Sequence, residues 1–149
     1  MMNNHLVMDT MKMQQIKTRY DEAESQKNTE GMEAARKSYQ ELIKKIKERG
    51  KNYEKVFKLY EAAAERGNDY IDLNDVIWDK EVAGLIASLR ENGIEHFTFS
   101  STWSSTVETA WLFTKNGCTL KGMVQINSAY KAIASEEYER IPAYLFEVH

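Results

Sequence analysis

The chain has 149 residues, 42% of them hydrophobic and 29% charged, and it carries a net charge of −3. This length suits one domain, or one domain with an appendage, and this composition excludes a disordered or fibrous protein. No apolar run reaches the roughly 20 residues that span a bilayer, and the first residues lack a signal-peptide pattern. These two features lead us to expect a soluble protein with no membrane partner. A lone cysteine cannot form an internal disulfide, so we expect the protein in the reducing cytoplasm.

Charge divides the sequence into two parts. Residues 1–68 hold 14 Lys and Arg against 11 Asp and Glu, whereas residues 69–149 hold 6 against 12. The sign changes at Gly67 and Asn68, a pair that is typical of a helix end. We therefore predict an α+β protein, with a helical arm over 1–68 and a compact α/β domain over 69–149.

The arm shows two apolar series at helical spacing. The first is Met13, Ile16, Tyr20 and Ala23, in steps of three and four. Asn28 and Thr29 follow as suitable N-caps of a second helix. The second series keeps the heptad spacing of a coiled coil through Tyr39, Ile43, Ile46, Gly50, Tyr53, Phe57, Tyr60 and Ala64.

Gly50 decides whether the second series lies on one helix or on two. In one interpretation, Gly50 ends the first helix of a helical hairpin and Asn52 caps the next helix. In the other, one long helix is kinked at Gly50. We favour the long helix, because the heptad register is kept through Gly50.

Tyrosine, rather than leucine, dominates the second series. A Tyr ring suits a half-exposed interface, since its hydroxyl needs water or a partner. The rings either pack on the first helix or the compact domain, or they form a face for protein binding or homodimerisation. The candidate binding residues here are Tyr39, Tyr53, Phe57 and Tyr60.

A basic stripe accompanies this series if the helix is continuous. Its lysines fall on one side of such a helix, and they are Lys37, Lys44, Lys51, Lys55 and Lys58. The stripe is either a solvated face or a contact for an acidic protein or a phosphate backbone. Lys44, Lys51 and Lys55 are the candidates for such contact, and base-specific reading is not expected.

The compact domain begins with an acidic connector from Asp69 to Asp79. Its aspartates lack the pattern of a calcium loop, so we interpret them as helix caps. Asp79 precedes a helix that Gly93 ends. The apolar face of that helix comprises Val82, Leu85, Ile86 and Leu89.

Alternating residues predict about three strands, over 95–102, 118–127 and 144–148. A short helix between the first two opens with a capping box from Ser105 to Glu108 and carries Ala110, Trp111 and Phe113. Strand, helix and strand in this order favour a parallel crossover between neighbouring strands. Residues 128–140 are predicted as loop or a short helix.

The turn from Ser100 to Thr106 places six hydroxyl residues around Trp103. Such a turn between a strand and a helix N-terminus can bind an anion or an acidic side chain. Alternatively, the hydroxyls cap the helix and order the turn. Ser101, Thr102 and Trp103 are the candidate binding residues here.

No catalytic, cofactor or metal site is predicted. The phosphate-loop and nucleophile-elbow patterns are absent from the sequence. His96 and Ser100 on one strand would lie about 13 Å apart, too far for direct proton transfer. Cys118 is better explained as a small buried residue than as a nucleophile.

Residues 97–104, with the sequence FTFSSTWS, and residues 111–114, with the sequence WLFT, carry a family resemblance. From about Asp75 onward the chain resembles small uncharacterised accessory proteins of bacterial phages and conjugative elements. Some proteins from that setting are anti-CRISPR inhibitors. The resemblance implies a binding protein of a bacterial cytoplasm.

The sequence thus favours a non-enzymatic binding protein, which inhibits or modulates a protein or nucleoprotein target by occupying its surface. One alternative is a nucleic-acid-binding regulator that dimerises through the arm. A second alternative is a small enzyme that uses the Ser100–Thr106 turn as an anion pocket.

Overall fold

The computed structural model describes residues 4–73 and 79–149. Within these ranges the chain forms five helices and four strands, so the predicted α+β class is confirmed. The helices are α1 (Asn4–Ser25), α2 (Thr29–Glu48), α3 (Lys51–Arg66), α4 (Asp79–Glu91) and α5 (Thr106–Lys115). The strands are β1 (Ile71–Asp72), β2 (His96–Phe99), β3 (Cys118–Lys131) and β4 (Tyr138–Val148). None of the described helices is long and apolar enough to cross a membrane.

The chain divides into two compact units, of which the first ends at Phe57 and the second comprises Lys58–His149. We call them the helical unit and the sheet unit. The predicted division after residue 68 lies just beyond the end of α3. Asp75, one of the aspartates predicted as caps, lies outside the described residues.

In the helical unit, α1 and α2 pack against each other as a hairpin. Asn28 is the N-cap of α2, as predicted, and its Oδ1 accepts a hydrogen bond from the Gly31 amide at 3.0 Å. In the predicted apolar face of α1, Met13, Ile16 and Ala23 are buried, as expected, and Tyr20 is half-buried. The buried residues of α2 are Ala35, Leu42 and Ile46.

The predicted long helix through Gly50 is wrong, because α2 ends at Glu48 and α3 begins at Lys51. Gly50 has a φ of +113°, a conformation that glycine adopts at little cost and that no α-helix contains. A heptad register across a glycine is therefore compatible with two helices as well as with one.

The sheet unit holds one mixed sheet with the strand order β1-β2-β4-β3. β1 pairs in parallel with β2, and β4 pairs antiparallel with both β2 and β3. β2 and β3 therefore run in the same direction, as predicted, but the prediction that they are neighbours is wrong because β4 lies between them. The structure has four strands rather than about three, and β3 and β4 extend into the region predicted as loop or short helix.

Four phenylalanines form the centre of the sheet unit. Phe113 of α5 meets the rings of Phe97, Phe99 and Phe146 edge-on, with centroids 5.1 to 5.3 Å away. Phe97 and Phe146 are partners across β2 and β4, and their rings stack at 5.3 Å. The predicted apolar face of α4 is buried as well: Val82, Leu85, Ile86 and Leu89.

Candidate protein-binding surface

Three large apolar side chains stand exposed on α5 and on the turn that precedes it. Trp103, Val107 and Trp111 are 66%, 79% and 64% exposed. Trp103 lies in the turn that precedes the helix, and its carbonyl accepts the Thr106 amide at 3.0 Å. Val107 and Trp111 are four residues apart within α5, so their side chains lie on one side of the helix, roughly 6 Å apart along its axis. We call Trp103, Val107 and Trp111 together the α5 ridge.

The helix beneath the ridge is fixed to the core of the sheet unit. Phe113 is fully buried among the other phenylalanines, and Thr109 is also buried. At the C-terminal end, Asn116 Nδ2 donates to the Leu112 carbonyl at 2.8 Å. The ridge is therefore carried by an anchored helix, and binding would require little ordering of its backbone.

The hydroxyls of the preceding turn order the turn itself. Thr106 Oγ1 donates to the Trp103 carbonyl at 2.6 Å and reaches the Ser101 carbonyl at 3.0 Å. The Trp103 amide approaches Ser101 Oγ at 3.4 Å. The predicted capping box is wrong: Ser105 is the N-cap, but its side chain makes no capping hydrogen bond.

A buried carboxylate of another strand is hydrogen-bonded to the first residue of this turn. Asp72 lies at the end of β1 and accepts hydrogen bonds from Thr98 Oγ1 at 2.7 Å and from Ser100 Oγ at 2.6 Å. An anion approaching Ser100 would meet this like charge. The arrangement is therefore unfavourable for the anion pocket considered in the sequence. Of the candidates in this turn, Trp103 and Thr102 are exposed and Ser101 is half-buried.

The aromatic candidates of the arm do not form one exposed face. Tyr39 is exposed and Tyr60 half-buried, whereas Tyr53 and Phe57 are buried. The Tyr53 hydroxyl donates to buried Asp9, whose carboxylate also lies 3.3 Å from Arg49 Nε. Burial, together with this hydrogen bond, raises the pKa of Tyr53 far above its usual range. Tyr53 is therefore a buried, hydrogen-bonded residue of the helical unit and not part of an exposed binding face.

The basic candidates lie on two helices rather than one. Lys44 belongs to α2, while Lys51 and Lys55 belong to α3, and Lys55 is half-buried. Because the helix ends before Gly50, the continuous basic stripe is not formed.

Sequence analysis missed Val107 and placed Trp111 and Phe113 on one helix without distinguishing their faces. Two residues apart in a helix point about 200° away from each other, so Trp111 and Phe113 cannot share a face. The signal was available in the spacing of Trp103, Val107 and Trp111, which gives α5 a second apolar side.

Cys118 and the metal-ligating side chains were the remaining candidates for a reactive site. Cys118 is buried, and burial raises the pKa of its thiol to about 11, which makes the thiolate scarce at neutral pH. Among the residues that the structure describes, no group of three His, Cys, Asp or Glu side chains could hold a metal ion.

Over residues 55–148 the chain matches a family described as a domain of unknown function (DUF7698). The chain belongs to this family. The match covers nearly the whole sheet unit, including the α5 ridge. No curated protein and no solved structure shows significant similarity to the chain.

Proposed function

We propose that this DUF7698 protein is a non-catalytic binding protein that occupies the surface of a protein or nucleoprotein target through the α5 ridge. The observation that carries the proposal is the exposure of Trp111 on an anchored helix and of Trp103 in the turn directly before it. Tryptophan is enriched among the few residues that dominate binding energy in protein interfaces.

The energetic argument rests on the apolar area that the ridge leaves in water. Covering the exposed part of one Trp side chain removes roughly 150 Å² of surface, which is worth about 3–4 kcal/mol before costs. Two such rings offset a substantial part of the entropy lost when two proteins associate. The ridge is therefore large enough to anchor a specific interface.

The two alternatives have less support in the geometry. The nucleic-acid-binding regulator depended on a continuous basic stripe, which the break at Gly50 divides. The anion-pocket enzyme depended on free hydroxyls, whereas Ser100 donates to Asp72. The resemblance to accessory proteins of phages directs the first search for a target to bacterial nucleoprotein complexes, and under it the chain would inhibit such a target in the manner of an anti-CRISPR.

The proposal is tested by affinity capture from a lysate of the source cells. We expect wild-type protein to retain one target at stoichiometric level and the double variant Trp103→Ala/Trp111→Ala to retain at least about tenfold less, since each lost Trp costs over 1 kcal/mol. The control is Met123→Ala/Tyr144→Ala, which removes exposed apolar surface elsewhere in the sheet unit.

Equal capture by the Trp variant and the wild type, with both folded, would contradict the role of the ridge. Capture of no protein at stoichiometric level would contradict a binding function altogether.

A further inference from the structure

The hairpin of β3 and β4 extends beyond the rest of the sheet. β4 pairs with β2 only from Tyr144 to Glu147, whereas its pairing with β3 continues to Lys131 and Tyr138. From Ala143 back to Tyr138, a length of roughly 17 Å at about 3.3 Å per residue, no other strand of the described residues pairs with the hairpin. We call residues 124–142 the β3–β4 finger.

The root of the finger is held by a network centred on Asn127. The Asn127 amide donates to Asn68 Oδ1 at 2.8 Å, and Asn68 Nδ2 returns a bond to the Asn127 carbonyl at 2.9 Å. Asn127 Nδ2 donates to the Arg66 carbonyl at the end of α3, at 2.7 Å. Arg140 reaches from the opposite strand to Asn127 Oδ1 and the Gln125 carbonyl, each at 3.0 Å. These bonds fix the direction of the finger before any partner binds.

The tip of the finger presents apolar side chains in a defined turn. Ile133 is fully exposed and Tyr130 is largely exposed. The Ser135 amide donates to the Ala132 carbonyl at 3.0 Å, and Ser135 Oγ accepts the Glu137 amide at 3.1 Å. Ile133 is therefore displayed on an ordered turn.

The finger carries a small net negative charge, from three glutamates against Lys131 and Arg140. Lys131 lies over the Tyr138 ring, 4.5 Å from its centroid, and Arg140 is bonded within the network at the root. Three exposed glutamates bear carboxylates that make no hydrogen bond or ion pair with any other described residue, and they are Glu136, Glu137 and Glu139. The same sign prevails over residues 58–149, which hold 14 acidic against 8 basic residues.

We propose that the β3–β4 finger is a second contact element, whose occupant is a cationic protein surface with an apolar recess. Ile133 enters the recess, and the three glutamates pair with Lys or Arg at its rim. Opposite charge across the contact accelerates the encounter and makes it sensitive to salt. This surface is separate from the α5 ridge and does not depend on it.

The test uses a defined probe, a synthetic 18-residue amphipathic helix with leucines on one side and lysines on the other. Binding is followed by amide chemical shifts of the full-length protein. We expect shifts over residues 130–139 and an affinity that falls at least about fivefold between 50 and 200 mM salt. A peptide with glutamates in place of the lysines should leave these amides unshifted.

Two finger variants and one matched control locate the contact. Glu136→Lys/Glu137→Lys/Glu139→Lys and, separately, Ile133→Ser should each weaken binding about tenfold or more. The control Glu24→Lys/Glu41→Lys/Glu48→Lys makes the same change of charge at exposed positions of the helical unit, and it should retain finger shifts close to those of the wild type. Equal loss of binding in the two triple Glu→Lys variants would overturn the proposal, because net charge alone would then explain that loss.

Repeating the titration with the variant Trp103→Ala/Trp111→Ala distinguishes binding at the finger from binding at the α5 ridge. Finger shifts that persist in this background support the proposal, and shifts confined to α5 overturn it. Self-association in sedimentation velocity that Ile133→Ser abolishes would also overturn the proposed occupant, because it would make a second copy of the chain the partner.

Discussion

Asp9 and Tyr53 form a buried hydrogen bond within the helical unit. Both are buried, and the Tyr53 hydroxyl donates to the Asp9 carboxylate. A buried carboxylate is costly unless hydrogen bonds and opposite charge compensate it. Tyr53 and Arg49 together provide that compensation. Tyr53, which was a candidate for an interface, is therefore part of the interior of the helical unit.

Replacing Tyr53 with Phe removes only the hydroxyl and leaves the Asp9 carboxylate with one donor fewer. We expect the free energy of unfolding to fall by about 1–3 kcal/mol, the usual cost of an unsatisfied buried polar group. Urea unfolding measures the change, and Tyr39→Phe at an exposed position is the control. Equal stability of the two variants would contradict the role of this contact.

Cys118 gives the sheet unit a dependence on alkaline pH. Burial raises the pKa of its thiol from about 9.0 to about 11. Because the folded state favours the protonated thiol, this contribution to stability is complete below about pH 9 and is lost as the pH rises through about 11.

We therefore expect wild-type stability, relative to Cys118→Ala, to decline by about 1–2 kcal/mol between pH 8 and 11. Unfolding curves of both proteins at these pH values measure the difference. A constant difference, or rapid alkylation of the thiol in the folded protein at pH 8, would contradict the account.

At the scale of elements, Gly50 separates the two descriptions of the arm. A Cβ at Gly50 would meet no atom within 4 Å. The only cost of an alanine there is therefore the backbone strain at a φ of +113°. We expect Gly50→Ala to lower the free energy of unfolding by about 1–2 kcal/mol. A helix-interior glycine would respond in the opposite direction, gaining about 0.5–1 kcal/mol. Urea unfolding with Lys44→Ala as a control decides between them, and stabilisation would restore the long helix.

Helices with one apolar side were predictable, because the spacing of apolar residues along a helix indicates which of its side chains are buried. The face of α1 through Met13, Ile16 and Ala23 is buried as expected, and so is the face of α4. The end of α2 was not predictable in this way, since it depends on one backbone angle at Gly50. The two sides of α5 were missed because Phe113 and Trp111 are both aromatic, although only Phe113 meets the core.

Strand pairing depends on contacts between residues that are distant in the sequence. Such contacts leave little trace in the local residue pattern, so the pairing was the hardest feature to predict. β1 has only two residues, Ile71 and Asp72, and exists because it pairs with β2. β4 lies between β2 and β3 although it follows both in the chain. Spacing within one segment carries no information on such an order. The Asp72 carboxylate was consequently not expected beneath the Ser100 turn.

At the scale of the whole molecule, the division in charge corresponds to a division in the fold. The net negative residues form the sheet unit from Lys58 onward. The family match over 55–148 covers nearly the same residues. The α5 ridge and the β3–β4 finger both belong to this part, so the surfaces proposed for binding lie on the portion of the chain that defines the family.

The central claim is that the α5 ridge contacts the target, and photocrosslinking tests it most directly. A benzophenone amino acid replaces Val107, the most exposed residue of the ridge, and in a second protein it replaces Tyr39 of the helical unit. We predict that irradiation in lysate joins the protein to one target from position 107 and not from position 39. Crosslinks to that target from position 39 alone, or equal crosslinks from both positions, would contradict the account.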